Sequence, residues 1–84
     1  MTRLTSMENI GREIEKKLEA VEIYTAEELV KIGSRKAFLM LKLHYPNVCL
    51  VHLYVLEGAV LDIPYNQLSE ETKQDLKKYS DSLK

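Results

Sequence analysis

Apolar residues recur at helical spacing along most of this chain, with charged residues between them. Near the N-terminus, glutamate, lysine and arginine fill the intervening positions, while every third or fourth residue is aliphatic. A repeat of this kind places the aliphatic side chains on one face of an amphipathic helix. The pattern predicts a first helix over residues 11–21, and the aliphatic positions that indicate it are Ile10, Ile14, Leu18 and Val21.

Two further helices follow, each with a recognisable start and end. Thr25 and Glu28 have the spacing of a capping box, in which each side chain bonds a free backbone N–H group at a helix start. The helix that begins there is expected to end at Gly33, because glycine readily takes the conformation that follows a helix. Ser34 can cap a third helix immediately. Pro46 stops that helix, because proline disfavours helical geometry in the preceding residue.

The apolar stretch over residues 48–61 is the ambiguous segment. Its valines favour a strand by propensity, and residues 48–56 taken alone fit a strand and a helix equally well. Three features favour a helix: Asn47 as a cap, the continuation of the apolar run, and the lack of a partner strand to satisfy the backbone. A helix that is apolar on nearly all sides is expected to be the central, buried one.

A last helix is predicted after the break at residues 62–65. Ser69 begins it, and one apolar stripe is formed by Leu68, Thr72, Leu76, Tyr79 and Leu83. Glycines and prolines lie at the joints, and the chain has no Asn-Gly or Asp-Gly hairpin signal. We therefore predict an all-α fold, a small five-helix bundle with a buried central fourth helix, forming one domain over residues 1–84.

Composition limits the chain to one small domain with a modest core. The 84 residues are 45% hydrophobic, and the single cysteine, Cys49, excludes an internal disulfide and fits a reducing compartment. The net charge of −1 gives no overall attraction to nucleic acid or to an anionic membrane, so any basic site must be local. No secretory signal is recognisable, and the apolar run falls short of the ~20 residues of a membrane span. We expect a cytoplasmic protein without a membrane partner.

Side chains suited to catalysis are few. His44 and His52 have no cysteine or carboxylate at metal-ligand spacing, which argues against a zinc site. Cys49 and His52 lie three residues apart, an arrangement able to activate a thiolate, but the apolar run around them is typical of core, where Cys49 acts as a small hydrophobe. Glu57 is interpreted as a buried or half-buried acid paired with a donor. The sequence therefore predicts no enzyme, cofactor, metal or small-molecule substrate.

An Asn-Ile-Gly turn before the first helix is the most informative polar feature. The first N–H groups of a helix that follows such a turn point outward and can bind a phosphate group. Basic side chains lie nearby, and the turn resembles the hairpin of helix-hairpin-helix DNA-binding modules. That resemblance implies as candidate DNA-phosphate-binding residues Asn9, Ile10, Gly11, Arg12, Lys16, Lys17, Arg35 and Lys36. The alternative is a tight turn with a solvated charged face, which the neighbouring Glu8, Glu13 and Glu15 support. Both interpretations stay open.

From about Leu4 to Leu76 the chain resembles the C-terminal domain of TfoX, the regulator of natural competence in bacteria. The resemblance is carried by the segments 9–11, 23–29, 32–34 and 53–59. Within the last segment, Gly58 lies inside an apolar helix, where glycine costs ~1 kcal/mol relative to alanine. We therefore expect Gly58 to permit the close approach of another helix.

The resemblance implies an all-α domain whose N-terminal half is helix-hairpin-helix-like, found either as the end of a TfoX protein or on its own. This chain resembles the stand-alone form, and a role in the regulation of competence is implied for it. Two positions depart from the family pattern. Arg12 stands where the family often has proline, and Tyr65 lies near an expected aromatic residue that is often tryptophan.

Two hypotheses of function follow. In the first, the chain is a non-enzymatic regulatory module that binds the phosphate backbone of DNA weakly and without sequence specificity. In the second, it docks on a partner protein or on a second copy of itself, because the third helix carries more large apolar residues than its own core needs. Those residues are Leu39, Met40, Leu43 and Tyr45.

Overall fold

Five α-helices joined by short turns form the protein. The computed structural model describes residues 2–83, and within this range no segment forms a β-strand beyond an isolated antiparallel bridge between Arg3 and Thr25. The helices are α1 (Arg12–Ala20), α2 (Ala26–Ile32), α3 (Ser34–His44), α4 (Leu50–Leu61) and α5 (Glu70–Ser82), with 3₁₀ turns at Leu4–Ser6 and Tyr65–Gln67. The predicted all-α, five-helix fold is confirmed.

Side chains cap two helix starts at the predicted residues, although the second bond of the predicted Thr25–Glu28 capping box comes from the N–H of Tyr24 rather than that of Thr25. Thr25 Oγ1 accepts a hydrogen bond from the backbone N–H of Glu28 at 3.2 Å, and the Glu28 carboxylate accepts one from the N–H of Tyr24 at 3.2 Å. Ser69 Oγ accepts from the N–H of Thr72 at 3.1 Å. These bonds satisfy amide groups that the first turn of a helix leaves unpaired, and they fix where α2 and α5 begin.

Ser34 does not cap α3, contrary to the prediction. Gly33 holds the N-cap position with a φ of 89°, a conformation open to glycine, and Ser34 is the first helical residue. The Ser34 hydroxyl, which is buried, instead donates a hydrogen bond to Glu57 Oε1 at 2.7 Å. Glu57 is half-buried and has a nearby donor, as predicted.

Asn47 does not cap α4 either. Asn47 lies instead in a turn before the helix, in which the N–H of Val48 bonds the carbonyl of Tyr45 at 3.0 Å. Cys49 is the N-cap of the helix, which begins at Leu50. Cys49 is exposed, so the prediction that it is a core residue was wrong. The physical reason is that an N-cap residue lies outside the helical repeat, and here Val48 is the residue that turns inward, with 2% exposure.

Helix α4 forms the centre of the bundle, as predicted. It packs against α3, α5 and the second 3₁₀ turn, and its Leu53 and Leu56 are fully buried. Burial of each such side chain stabilises the fold by roughly 2 kcal/mol. Its two ends are less covered, since Val51 and Leu61 are about half exposed. Among residues 2–83, no helix has the length and apolar character required to cross a bilayer.

A short N-terminal arm is fastened to the start of α2. The backbone N–H of Thr2 donates to Glu27 Oε1 at 2.9 Å, its hydroxyl donates to Oε2 at 2.8 Å, and its carbonyl accepts from the N–H of Ala26 at 2.9 Å. The hydrogen bond from the Thr2 backbone is the main reason that the pKa of Glu27 falls to about 2. The arm is therefore held most firmly when Glu27 is ionised.

We expect acid to weaken the attachment of this arm. The pKa of Glu27 is lower in the folded protein than its ordinary 4.5, so the stability that its ionised form contributes is complete above that pH and is lost as the pH falls towards about 2. Urea unfolding at a series of pH values checks this, with Glu27→Gln as the control. The unfolding free energy of the wild type should fall more steeply over this range, and parallel profiles would contradict the assignment.

Candidate functional site

Asn9 fixes the turn before α1 to the loop after α4. Its backbone is left-handed, with a φ of 72°, as the sequence allowed. Its side-chain Nδ2 donates to the carbonyl of Ile63 at 3.0 Å, and its Oδ1 accepts from the N–H of Tyr65 at 3.1 Å. Ile10 is buried, and its N–H bonds the carbonyl of Met7 at 3.4 Å. The side chains of Asn9 and Ile10 therefore hold the turn in place, and Gly11 and the helix start face solvent.

The start of α1 has no side-chain cap. Gly11 is its N-cap, in an ordinary extended conformation, and the first bond of the helix runs from the N–H of Glu15 to the Gly11 carbonyl at 3.0 Å. The N–H groups before Glu15 are those that a helix leaves without an internal partner. Arg12 and Lys16 are exposed one turn apart. The first turn also carries the exposed Glu13, which reduces the local positive charge.

The start of α3 lies at the same end of the bundle as the start of α1. The Ser34–Glu57 hydrogen bond joins α3 to the C-terminal half of α4, and Asn9 contacts the backbone immediately beyond that half. Arg35 and Lys36 are exposed in the first turn of α3, which carries no acidic residue. The fold thus brings two basic helix starts, far apart in the sequence, to one end of the molecule.

Lys17 does not belong to this group. It lies in the last turn of α1, half-buried, with its Nζ 5.9 Å from the centre of the Tyr45 ring. Tyr45 follows the C-terminal end of α3, at the opposite end of that helix from Arg35 and Lys36. Of the eight residues predicted to bind phosphate, the structure places Lys17 elsewhere, buries Ile10 with its N–H bonded to Met7, and uses the side chain of Asn9 to hold the loop after α4.

The pair of Cys49 and His52 forms a local contact at the start of α4. The N–H of Cys49 donates to His52 Nδ1 at 3.2 Å, and the Cys49 Sγ lies 3.5 Å from the same nitrogen. Burial, and to a lesser extent the charge of Lys17, lower the pKa of His52. His52 is therefore neutral at pH 7, and a neutral imidazole supplies no positive charge to stabilise a thiolate.

The remaining metal-ligating side chains do not converge. His44 is exposed at the end of α3 and packs edge-on against Tyr45, with 4.7 Å between the ring centres. Within residues 2–83, no group of three or more His, Cys, Asp or Glu side chains is arranged to hold a metal ion.

Sequence reasoning missed a cavity of about 210 Å³ between α1 and the loop that joins α3 to α4. Its lining consists of Lys17, Tyr45, Pro46, Asn47, Val48 and His52. Lys17 and His52 belong to helices that are not consecutive, so no spacing in the sequence relates them. The Pro-Asn pair after Tyr45 marks a turn, and this is the one local signal that pointed to the region.

Comparison with known proteins identifies the class. The family described as the TfoX C-terminal domain matches residues 1–79. Two crystal structures from Listeria monocytogenes are similar over 98% of this chain, each at 40% sequence identity. One, an uncharacterized protein in a triclinic form, has a TM-score of 0.95 with 93% of its chain covered, and the other, a protein of unknown function in a tetragonal form, has 0.94 with 100% covered. A comparison with curated proteins found no match.

The chain belongs to the TfoX C-terminal domain family. Neither of these two proteins has a known activity to compare, so the assignment of function depends on the surface of this protein.

Proposed function

We propose that this protein is a regulatory module linked to competence that binds the phosphate backbone of DNA through the starts of α1 and α3. The observation that carries the proposal is the position of these two starts at one end of the bundle, fixed there by the bonds of Asn9 and Ser34 to the C-terminal region of α4. Family membership supports the regulatory role. A catalytic function is not part of the proposal.

The physical basis is the positive end of each helix. Backbone N–H groups at a helix start carry a partial positive charge and can bond phosphate oxygens directly. In α1 they lie beside Arg12 and Lys16, and in α3 beside Arg35 and Lys36, all of which are exposed. Contacts of this type hold the backbone without reading the bases, so binding is expected to be independent of sequence and sensitive to salt.

We expect Arg12→Glu and Lys16→Glu to weaken DNA binding, because each removes a cation at the start of α1 and adds a repulsive carboxylate. Fluorescence anisotropy with a short labelled duplex at several low salt concentrations measures this. Each substitution should also reduce the slope of log Kd against log salt by about one. Arg35→Glu and Lys36→Glu test α3 in the same way.

Lys77→Glu is the matched control. Lys77 is exposed on α5 and lines a depression beside residues 46–50, near the N-terminal end of α4, and its substitution changes the net charge by the same amount. If Lys77→Glu weakened binding as much as Arg12→Glu, the effect would be one of overall charge. If the wild type did not bind duplex DNA at high micromolar protein, the proposal would be abandoned.

A second candidate function is self-association, and the exposure of Leu43 favours it. Of the four apolar residues on α3 singled out from the sequence, Leu39, Met40 and Tyr45 are half-buried, whereas Leu43 is 79% exposed. Leu43 borders a shallow depression that Val21 and Met40 also line. Contiguous exposed apolar surface marks interaction sites, and Leu43 together with the apolar part of this depression, which Glu22 and His44 also line, is the candidate for such a surface.

If α3 mediates self-association, Leu43→Glu should convert a dimer to a monomer, because a carboxylate would be buried in the contact. Sedimentation equilibrium measures this directly. Leu61→Glu is the matched control, since Leu61 is also an exposed leucine but lies at the end of α4. A wild-type protein that remains a monomer at all concentrations tested would remove this candidate.

A further inference from the structure

The cavity between α1 and the α3–α4 loop combines an aromatic wall with positively charged and polar groups. The Tyr45 ring, Pro46 and the side of Val48 supply apolar surface, and Lys17, His52 and Asn47 supply polar groups. Lys17 and His52 are both half-buried. Its volume of about 210 Å³ is suited to a small molecule rather than to a polymer.

The polar groups of the cavity offer donors. Because His52 Nδ1 accepts the hydrogen bond of the Cys49 N–H, the neutral ring carries its proton on Nε2 and can donate it. The Lys17 ammonium group carries three donors and has no ion-pair partner within 4.0 Å in the part of the chain that the structure describes. No aspartate or glutamate of residues 2–83 lines the cavity.

The charged and titratable groups around His52 are few. Lys17 of α1 and Tyr45, which follows α3, share the cavity with it, and Cys49 lies beside it on the same helix. Lys42 donates to the carbonyl of Val48 at 3.2 Å, and together with Lys77 and Asp81 it lines the neighbouring depression, which His52 does not line. Lys17 is the charged side chain that lines the cavity with His52, and its positive charge contributes, after burial, to the lowered pKa of His52.

We propose that this cavity binds a small organic oxyanion, a carboxylate or phosphate group carried on an apolar or aromatic body. The anionic group pairs with Lys17 and with the Nε2–H of His52, and the body packs on Tyr45 and Pro46. This site uses Lys17 and His52, not the helix starts proposed to bind DNA. A test of the cavity therefore does not depend on whether the protein binds DNA. It assigns the protein a small-molecule ligand that the sequence did not predict.

Ligand binding at this site should depend on pH, because His52 can gain a proton and lies near the positive charge of Lys17. In the empty cavity, burial and Lys17 hold the pKa of His52 below its ordinary value, so the imidazole is neutral at pH 7. A bound anion offsets the charge of Lys17 and favours the protonated imidazole, which raises the pKa of His52. By linkage, the anion binds more tightly as the pH falls, and we expect about tenfold tighter binding to the protonated form.

Nuclear magnetic resonance titration of the two histidines tests the proposal with an internal control. His52 lines the cavity, whereas His44 is exposed and does not. The probes are benzoate, phenyl phosphate, inorganic phosphate and the neutral benzyl alcohol. We expect benzoate or phenyl phosphate to raise the pKa of His52 with saturation at millimolar concentrations and to leave that of His44 unchanged. A preference between these two probes identifies the anionic group.

The variants Lys17→Gln and Lys31→Gln separate the cavity from general charge. Lys17→Gln should abolish the response of His52 to the probes and raise its pKa in their absence, whereas Lys31→Gln, at an exposed position on α2 that does not line the cavity, should change neither. His52→Gln followed by calorimetry gives a second measurement, with weaker binding that no longer strengthens at low pH. Thermal unfolding verifies that each variant is folded.

Three results would overturn the proposal. These are no response of His52 to any anionic probe, an equal response to benzyl alcohol, and an undiminished response in folded Lys17→Gln. Inorganic phosphate binding as tightly as phenyl phosphate would overturn the assignment of an organic ligand, because the aromatic wall would then contribute nothing.

Discussion

Replacement of Gly58 by leucine is expected to prevent stable folding. A Cβ atom at this position would lie 2.7 Å from the carbonyl oxygen of Ile63 and 3.2 Å from the Cα of Tyr65, and it would also clash with Asn9 Nδ2. Two of these three neighbours are backbone atoms, which cannot turn aside as a flexible side chain can. Overpacking of a core typically costs 1–3 kcal/mol, and the larger side chain of leucine should exceed about 3 kcal/mol.

Gly58→Ala should also destabilise, by about 1–2 kcal/mol. Alanine is favoured over glycine inside a helix by up to ~1 kcal/mol, but the contact with the Ile63 carbonyl acts in the opposite direction and is the larger effect. Gly11→Ala is the matched control, because no atom lies within 4 Å of a Cβ built there. Urea unfolding measures all three variants. If Gly58→Ala were as stable as the wild type, the loop of residues 63–65 would be able to move away from the added methyl group without a loss of stability.

The second large effect is expected for Asn9→Ala, at about 2–4 kcal/mol. The substitution removes the two hydrogen bonds to the backbone of Ile63 and Tyr65, each worth roughly 1 kcal/mol. It also places alanine at a φ of 72°, where a residue other than glycine or asparagine is strained by about 1 kcal/mol. The start of α1 and the loop after α4 would lose their attachment to each other.

Asn9→Gly separates these two contributions. Glycine accepts the left-handed backbone but has no side chain, so the difference between the two variants reports the strain, and the remaining loss reports the hydrogen bonds. Chemical unfolding of both variants, side by side, gives the two values. If Asn9→Ala lowered the free energy of unfolding by less than about 0.5 kcal/mol, the two hydrogen bonds of Asn9 that position the start of α1 would contribute little to stability.

Features encoded by neighbouring residues were predictable. The Thr25 and Ser69 caps and the five amphipathic or apolar segments depend on contacts within one or two turns, and each was confirmed. Errors arose where the helix start lies at a different residue from the predicted one. Ser34 is a residue type that caps helices, but Gly33 holds the N-cap position with a φ of 89° and Ser34 is already helical, with its hydroxyl donating to Glu57. Cys49 was judged by its apolar neighbours, although an N-cap lies outside their repeat.

The prediction made for Gly58 from the sequence was correct in one part and wrong in another. Its place in an apolar helix predicted a close approach, and the approach exists, but the partner is the loop of residues 63–65 together with Asn9 rather than a crossing helix. The contact with Asn9 could not be predicted, because nothing in the local pattern relates Gly58 to a residue at the other end of the sequence, and the turn after α4 gave no signal that it folds back on the helix. The cavity beside His52 escaped prediction for the same reason, since its walls come from separate helices.

The two hydrogen bonds of Asn9 also couple ligand binding at the start of α1 to unfolding of the whole domain. Asn9 joins the turn before α1 to the loop after α4, where Ile63 is 54 positions away, so opening of the turn breaks its bonds to that loop. An anion held at the start of α1 would therefore resist the opening of both regions. Its binding energy would appear as a higher melting temperature of the whole domain, growing with the logarithm of ligand concentration, rather than as the ordering of a local arm.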